Sequence, residues 1–150
     1  MSARSGPPGS APPGVVALVG PAAAYVVYVF VVGTLPHVGP PMGMSDKLAH
    51  AAVFGVMVPL LSRAARYLDV RGGRASAWAR GSLPAASVAR RVGMSAGVAT
   101  LLGGALEAWQ AFLPTRRAEW LDLAADAAGA GACALALVLW ARVTAPGARG

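Results

Sequence analysis

Residues 15–35 read VVALVGPAAAYVVYVFVVGTL, a stretch of 21 residues without a charged side chain. An α-helix needs about 20 apolar residues to cross the hydrocarbon core of a membrane, so this stretch predicts a transmembrane helix. The apolar region of a cleavable signal peptide is roughly 7–15 residues long, which is shorter than this stretch. We therefore expect the helix to be retained as a membrane span.

The composition of the whole chain agrees with a membrane protein. Of its 150 residues, 56% are hydrophobic and 13% are charged, and the mean hydropathy is +0.57. An average soluble domain has about 25% charged residues, so this balance excludes a disordered chain and disfavours a water-soluble globule. The single cysteine excludes an internal disulfide and a cysteine-rich metal site. The net charge of +7 does not indicate nucleic-acid binding, because the basic residues lie between apolar runs.

Three further apolar segments follow, at residues 46–67, 92–113 and 120–141. In the segment at residues 46–67, Arg63 and Arg66 can extend their side chains to the membrane interface, so the whole segment is long enough to cross the membrane. The pattern predicts an all-α fold, an integral membrane bundle of four transmembrane helices that forms one domain over residues 15–142. Residues 1–14 are rich in proline and glycine and predict a disordered leader, and residues 143–150 form a short tail.

The charge distribution predicts how the bundle is oriented. With four spans, both termini and the arginine-rich loop at residues 62–91 share one side, which carries ten of the 13 basic residues. The excess of positive charge in cytoplasmic loops of membrane proteins assigns that side, with both termini, to the cytoplasm. The acidic residues other than Asp69 lie toward the opposite side, together with His37 and His50. We therefore expect the chemistry of the protein on its extracytoplasmic side.

Polar side chains are concentrated at the extracytoplasmic ends of the second, third and fourth predicted helices. In each segment they are three or four residues apart, which places them on adjoining faces of a helix. The second and fourth helices both begin on this side, and helix N-termini favour bound anions. We expect a polar site with the ligand-binding residues Asp46, Lys47, His50, Glu107, Gln110, Arg116, Asp122 and Asp126.

Glu107 and Asp126 are the deepest acidic residues of this site. From the helical rise, each lies about 10 Å from the end of its helix. An ionised carboxylate inside a membrane costs at least ~2.5–3.5 kcal/mol, so we expect the two to share a proton, contact a cation or line a wet cavity. Simpler interpretations are that Asp46 and Asp122 cap their helices, and that His50 is a polar core residue.

The same segments resemble the VanZ-like family of integral membrane proteins. Residues 46–54 (DKLAHAAVF), 107–116 (EAWQAFLPTR) and 122–129 (DLAADAAG) are similar in order and spacing to the family segments D-K-x-x-H-x-x-x-F, E-x-x-Q-x-F-x-P-x-R and D-x-x-x-N-x-x-G. The resemblance covers residues 15–141. Asp126 departs from the pattern, which has asparagine there. The family positions present in this chain are Asp46, Lys47, His50, Glu107, Gln110, Pro114, Arg116, Asp122 and Gly129.

The resemblance implies a multi-pass protein of the bacterial inner membrane, in a family named for a member that confers low-level resistance to teicoplanin. We expect a non-enzymatic cell-envelope protein that binds an anionic lipid or the head group of a cell-wall precursor. Its partners would be membrane lipids rather than nucleic acid, and we expect neither a cofactor nor a bound metal.

Two alternatives remain open. One is a membrane-embedded enzyme that acts on a lipid-linked substrate, with His50, Glu107 and Asp122 as candidate catalytic residues for acid–base or metal-assisted chemistry. One histidine among carboxylates would suit Mg²⁺ or Mn²⁺ better than a structural zinc. The other is a structural subunit of a membrane complex, in which the polar residues only lock the packing of the helices.

Overall fold

The computed structural model describes residues 14–36, 43–69 and 85–144. Four predictions fall wholly or mostly outside these ranges. They concern the N-terminal leader, the loop position of His37, the centre of the arginine-rich loop and the C-terminal tail.

The described chain is all-α, as predicted, and its helices are α1 (Val15–Thr34), α2 (Asp46–Asp69), α3 (Ala85–Gln110) and α4 (Trp120–Val143). Both α2 and α3 extend into the segment predicted as an arginine-rich loop. Arginine is a good helix former, so its charge ends an apolar run without ending the helix. Residues 111–119 form the short connection between α3 and α4.

Three of these helices are apolar enough to cross a membrane. By length and composition alone, and among the described residues, they are α1, the Asp46–Tyr67 part of α2, and α4. The third helix, α3, is not among them, because glycines and the polar residues Ser95, Thr100 and Glu107 dilute its apolar side chains. The three apolar helices indicate a membrane protein.

Successive helices run in opposite directions. At one end of the bundle, Lys47 at the start of α2 contacts Asp122 at the start of α4. At the same end, Gln110 in the last turn of α3 contacts Gly33 in the last turn of α1. Arg63, near the far end of α2, donates to a carbonyl in the first turn of α1. We call the end where α2 and α4 begin the polar end, and the opposite end the arginine end.

The core lies around α2, which contacts the other three helices and packs most extensively against α4. Phe54, Met57 and Val58 of α2 are fully buried, and they belong to one cluster with Ala99 of α3 and Ala130 of α4. Small alanine side chains on the partner helices leave room for the larger side chains of α2.

Gly129 allows α2 and α4 to come unusually close. A Cβ atom added to Gly129 would overlap the backbone carbonyl oxygen of Ala51 in α2. One turn further along α2, a Cβ added to Gly55 would lie 3.3 Å from the Gly129 carbonyl oxygen. Small residues at helix crossings let two backbones approach each other in this way. This close crossing holds the starts of α2 and α4 side by side.

Candidate functional site

Ionisable side chains from α2, from α4 and from the residue before α4 meet at the polar end. They come together because the two helices begin side by side, and because residues three or four apart share a helix face. We call this group the polar cluster, and its members are Asp46, Lys47, His50, Glu119, Asp122 and Asp126.

Lys47 forms the rim of the polar cluster. Its Nζ contacts Asp122 Oδ1, lies 2.8 Å from Glu119 Oε2 and lies 3.8 Å from Asp46 Oδ2. The exposed fractions of the side chains are 39% for Lys47, 53% for Glu119 and 56% for Asp46. The rim is therefore open, and a ligand that reaches Lys47 has only to displace an exposed carboxylate.

His50 lies between two carboxylates of α4. Its Nδ1 is 2.8 Å from Asp126 Oδ1, which is hydrogen-bond distance, and its Nε2 is 3.9 Å from Asp122 Oδ2, which is beyond it. When Asp126 is ionised it can only accept, so in that state His50 Nδ1 is the donor of this hydrogen bond. Nε2 makes no hydrogen bond within the described residues.

Asp126 is fully buried at the floor of the cluster. Its second oxygen, Oδ2, has no hydrogen-bond partner and lies against Gly103 of α3, where an added Cβ would overlap it. Gly103 therefore makes room for Asp126 between α3 and α4. Position 126 is where the chain departs from the VanZ-like pattern, and the carboxylate found there is hydrogen-bonded to His50.

Glu107 makes no hydrogen bond with Asp126 in the described part of the chain, so a proton shared between them, one of the three arrangements expected from their depth, is not found. Glu107 Oε2 accepts a hydrogen bond of 2.8 Å from the backbone N–H of Glu119, and its Oε1 is buried without a hydrogen-bond partner. Glu107 thus anchors the loop that leads into α4. Of the three candidate catalytic residues, the structure brings His50 and Asp122 together, and Glu107 bonds to that loop.

Asp46 and Asp122 do not act as helix caps. The cap of α2 is Ser45, whose Oγ accepts a hydrogen bond of 3.3 Å from the N–H of Leu48. Glu119 occupies the cap position of α4 and makes no side-chain cap bond, and Asp122 directs its carboxylate to Lys47. Both aspartates lie in the first turn of their helices, where the helix dipole favours negative charge.

Gln110 and Arg116 lie near the cluster but bond to the end of α1. Gln110 Nε2 donates to the Gly33 carbonyl at 2.8 Å, and Arg116 Nη2 donates to the Leu35 carbonyl at 2.6 Å. Carbonyls at the C-terminus of a helix lack partners within that helix, so these two side chains satisfy them. Their predicted role as ligand-binding residues stays a prediction, and the structure assigns them a structural contact.

Glu119 is the member of the cluster that was not predicted as a site residue. It bonds Lys47 through its side chain, and Glu107 through its backbone N–H. A signal was present, since Glu119 precedes Asp122 by three residues and continues the Asp122–Asp126 stripe backwards by one turn. Glu119 lies in the connection before α4, so the predicted helix at residues 120–141 does not include it.

The polar cluster has an excess of negative charge, because four carboxylates face one lysine. Its carboxylates therefore favour a cation, whereas the exposed Lys47 at the rim is the group that can contact an anion. Asp46, His50 and Asp122 each offer one ligand atom, and these atoms lie within 4.8 Å of one another, which is close enough to hold a metal ion. The same carboxylates can also accept a proton from His50 or from a bound hydroxyl group.

No family model matches this chain, and no curated protein or solved structure matches it.

Proposed function

We propose that this chain is a VanZ-like protein of the bacterial inner membrane that spans the bilayer four times. In this arrangement both ends of the chain are cytoplasmic, and the polar end lies on the extracytoplasmic side. Its function would be to bind a phosphate-bearing lipid head group at the polar cluster, either from a membrane lipid or from a lipid-linked cell-wall precursor.

The hydrogen bonds of α3 support a fourth span. With 26 residues, α3 is about 39 Å long, more than the ~30 Å of a hydrocarbon core. Its hydroxyl groups donate to backbone carbonyls one turn earlier, from Ser95 to Arg91 at 2.9 Å and from Thr100 to Ala96 at 3.0 Å. Each polar group of this kind is satisfied within the helix, as a lipid environment requires.

Exposed tryptophans near both ends of α4 support membrane boundaries at these two levels. Trp120 is 76% exposed and Trp140 is 71% exposed. The two are 20 residues apart, which corresponds to about 30 Å along the helix and equals the thickness of a hydrocarbon core. Tryptophan is enriched at membrane–water interfaces, so the polar cluster would lie just inside one boundary.

The positions of the charges support the orientation. Arg63 and Arg66 lie near the end of α2, Arg90 and Arg91 near the start of α3, and Arg142 at the end of α4. All five belong to the arginine end, so the excess of positive charge within the described residues lies opposite the polar cluster. Positive charge favours the cytoplasmic side.

Cysteine labelling tests this topology. Single cysteines replace Arg80 or Thr115 in a Cys133→Ala background, and intact cells are treated with a membrane-impermeant maleimide. We expect labelling at position 115 and none at position 80 until the cells are opened. Labelling at position 80 in intact cells would contradict the orientation.

The observation that carries the head-group proposal is the half-exposed Lys47 beside the exposed Glu119. A phosphate that replaces Glu119 would gain the ammonium of Lys47 as a partner. It would also lie near the N-termini of α2 and α4, whose dipoles favour an anion. The apolar chains of the lipid would remain in the bilayer next to the bundle.

Mass spectrometry of lipids that co-purify with the protein tests this proposal. We expect Lys47→Ala to lower the amount of phosphate-bearing lipid per chain, and the masses identify its source. Arg117→Ala is the matched control, because it removes one positive charge from the same end at an exposed residue outside the cluster. Equal losses in the two variants would indicate nonspecific attraction and contradict the proposal.

Teicoplanin susceptibility provides a cellular readout of the same proposal. If the bound head group belongs to a cell-wall precursor, expression of the protein raises the inhibitory concentration of teicoplanin, and Lys47→Ala abolishes the increase. Unchanged susceptibility together with intact lipid binding would assign the site to a membrane lipid.

A structural role is the second candidate, and the ion pairs between α2 and α4 favour it. Lys47 and His50 each join these two helices through the carboxylates of Asp122 and Asp126. In that case Lys47→Ala lowers the thermal stability of the purified protein and leaves its lipid content unchanged.

A further inference from the structure

We propose that the polar cluster binds one divalent transition-metal ion through Asp46, His50 and Asp122. Imidazole and carboxylate together suit ions such as Mn²⁺. This inference goes beyond head-group binding, because the three residues would hold the ion with or without a lipid.

The spacing of the two inner ligand atoms fits a shared ion. His50 Nε2 and Asp122 Oδ2 are 3.9 Å apart, too far for a hydrogen bond to each other. Two donors that each lie about 2.1 Å from one ion are separated by at most about 4.2 Å. Asp122 is 94% buried (6% exposed), and among the described residues its Oδ2 makes no hydrogen bond and lies 3.9 Å from the imidazole Nε2. A metal ion between these two atoms would satisfy both.

The third ligand is on the open side of the site. Asp46 is half-exposed, and its carboxylate supplies an oxygen within 4.8 Å of the ligand atoms of His50 and Asp122. Because it faces solvent, it is free to rotate onto the ion. The remaining coordination positions would be filled by water or by an oxygen of a bound phosphate.

Asp126 is placed to orient the metal-binding histidine. A histidine that ligates a metal commonly donates its other ring N–H to a carboxylate, which fixes the tautomer and the orientation of the ring. His50 Nδ1 has this arrangement with the fully buried Asp126, which lies outside the three-residue ligand set. The lone pair of Nε2 is thereby directed away from Asp126 and toward the side of Asp122. Asp126 acts as a positioning residue.

A bound divalent ion would also reduce the excess negative charge of the polar cluster. Lys47 is the one permanent cation of the polar cluster and already contacts Asp122 through Oδ1, which leaves Oδ2 for the metal. A divalent ion at Oδ2 would offset the negative charge of the remaining carboxylates. It could also supply a second positive partner, beside Lys47, for a bound phosphate.

Mn²⁺ binding to the full chain in detergent micelles tests the inference. The electron paramagnetic resonance signal of free Mn²⁺ is followed during titration, and we expect one saturable site per chain. Asp122→Asn should lower the affinity more than Glu119→Gln does, although each removes one negative charge at the same end. Asp126→Ala should lower it by roughly 10–100-fold, the usual effect of losing the partner of a metal-bound histidine. Lys47→Met should raise the affinity, because it removes a competing cation.

A measurement on the wild-type protein keeps the test independent of how the variants fold. Electron spin echo modulation of bound Mn²⁺ should show coupling to a directly coordinated imidazole nitrogen. The coupling should persist in His37→Gln, which leaves His50 as the source. Absence of saturable binding, absence of the nitrogen coupling, or equal affinities of Asp122→Asn and Glu119→Gln would each overturn the inference. Failure of head-group binding is seen separately, as unchanged lipid content in Lys47→Ala with Mn²⁺ binding intact.

Discussion

Substitution of Gly129 tests the close crossing that positions the site. In Gly129→Ala the new methyl group would overlap the carbonyl oxygen of Ala51. That oxygen belongs to the backbone, so it cannot rotate away, and α2 and α4 must separate. The control is Gly131→Ala on the same helix, where an added Cβ meets nothing within 4 Å.

The expected magnitudes follow from this difference in surroundings. An alanine in a helix interior is favoured over glycine by about 0.8–1.0 kcal/mol, and both variants receive this gain. Overpacking costs typically 1–3 kcal/mol, and a clash with backbone belongs to the upper part of that range. We therefore expect Gly131→Ala to be stabilised by about 1 kcal/mol and Gly129→Ala to be destabilised by about 2 kcal/mol.

Unfolding of the detergent-solubilised protein by increasing amounts of dodecyl sulfate, followed by circular dichroism, measures both variants. The separation of the helices should also lower Mn²⁺ affinity in Gly129→Ala, because His50 and Asp122 lie on the two helices that move apart. Equal changes in the free energy of unfolding for Gly129→Ala and Gly131→Ala would refute the close crossing.

Substitutions at three further residues test individual hydrogen bonds by the same unfolding measurement. Asp126→Asn keeps an acceptor for His50 Nδ1–H and should leave the free energy of unfolding nearly unchanged. Asp126→Ala leaves that donor without a partner and should cost about 1–3 kcal/mol. Equal losses in the two variants would mean that the charge of Asp126 matters more than its hydrogen bond. Gln110→Glu removes the donor to the Gly33 carbonyl and should cost about 1–3 kcal/mol, and an unchanged stability would exclude this bond as an anchor of α1. Tyr25→Phe removes an O–H bond of 3.1 Å to a carbonyl of α2 and should cost about 1 kcal/mol, which a stability equal to wild type would contradict.

Much of the helical architecture was predictable from the chain because the signals are local. The uncharged run at residues 15–35 predicts α1 to within one residue, since apolar length and helix length coincide there. For α3 the signal was weaker. Arg90 and Arg91 end the apolar run, yet the helix begins at Ala85, because a charged side chain does not interrupt backbone hydrogen bonding.

The sequence by itself determined that the polar residues gather at one end. The order of the four helices and the spacing of three or four residues bring Asp46, Lys47 and His50 to the level of Asp122 and Asp126. These are consequences of helical period and of antiparallel connections, and neither depends on how the helices pack.

Only the tertiary structure decided which side chains form pairs. The depth of Glu107 and Asp126 left a shared proton, a cation contact and a wet cavity open. In the structure Asp126 is hydrogen-bonded to His50, and Glu107 accepts the backbone N–H of Glu119. Depth along a helix follows from residue number, whereas the rotation of the helix about its axis follows from packing. That rotation is set where backbones and buried groups meet most closely, at Gly129 against α2 and at Gly103 against Asp126, and no local pattern in the sequence contains these contacts.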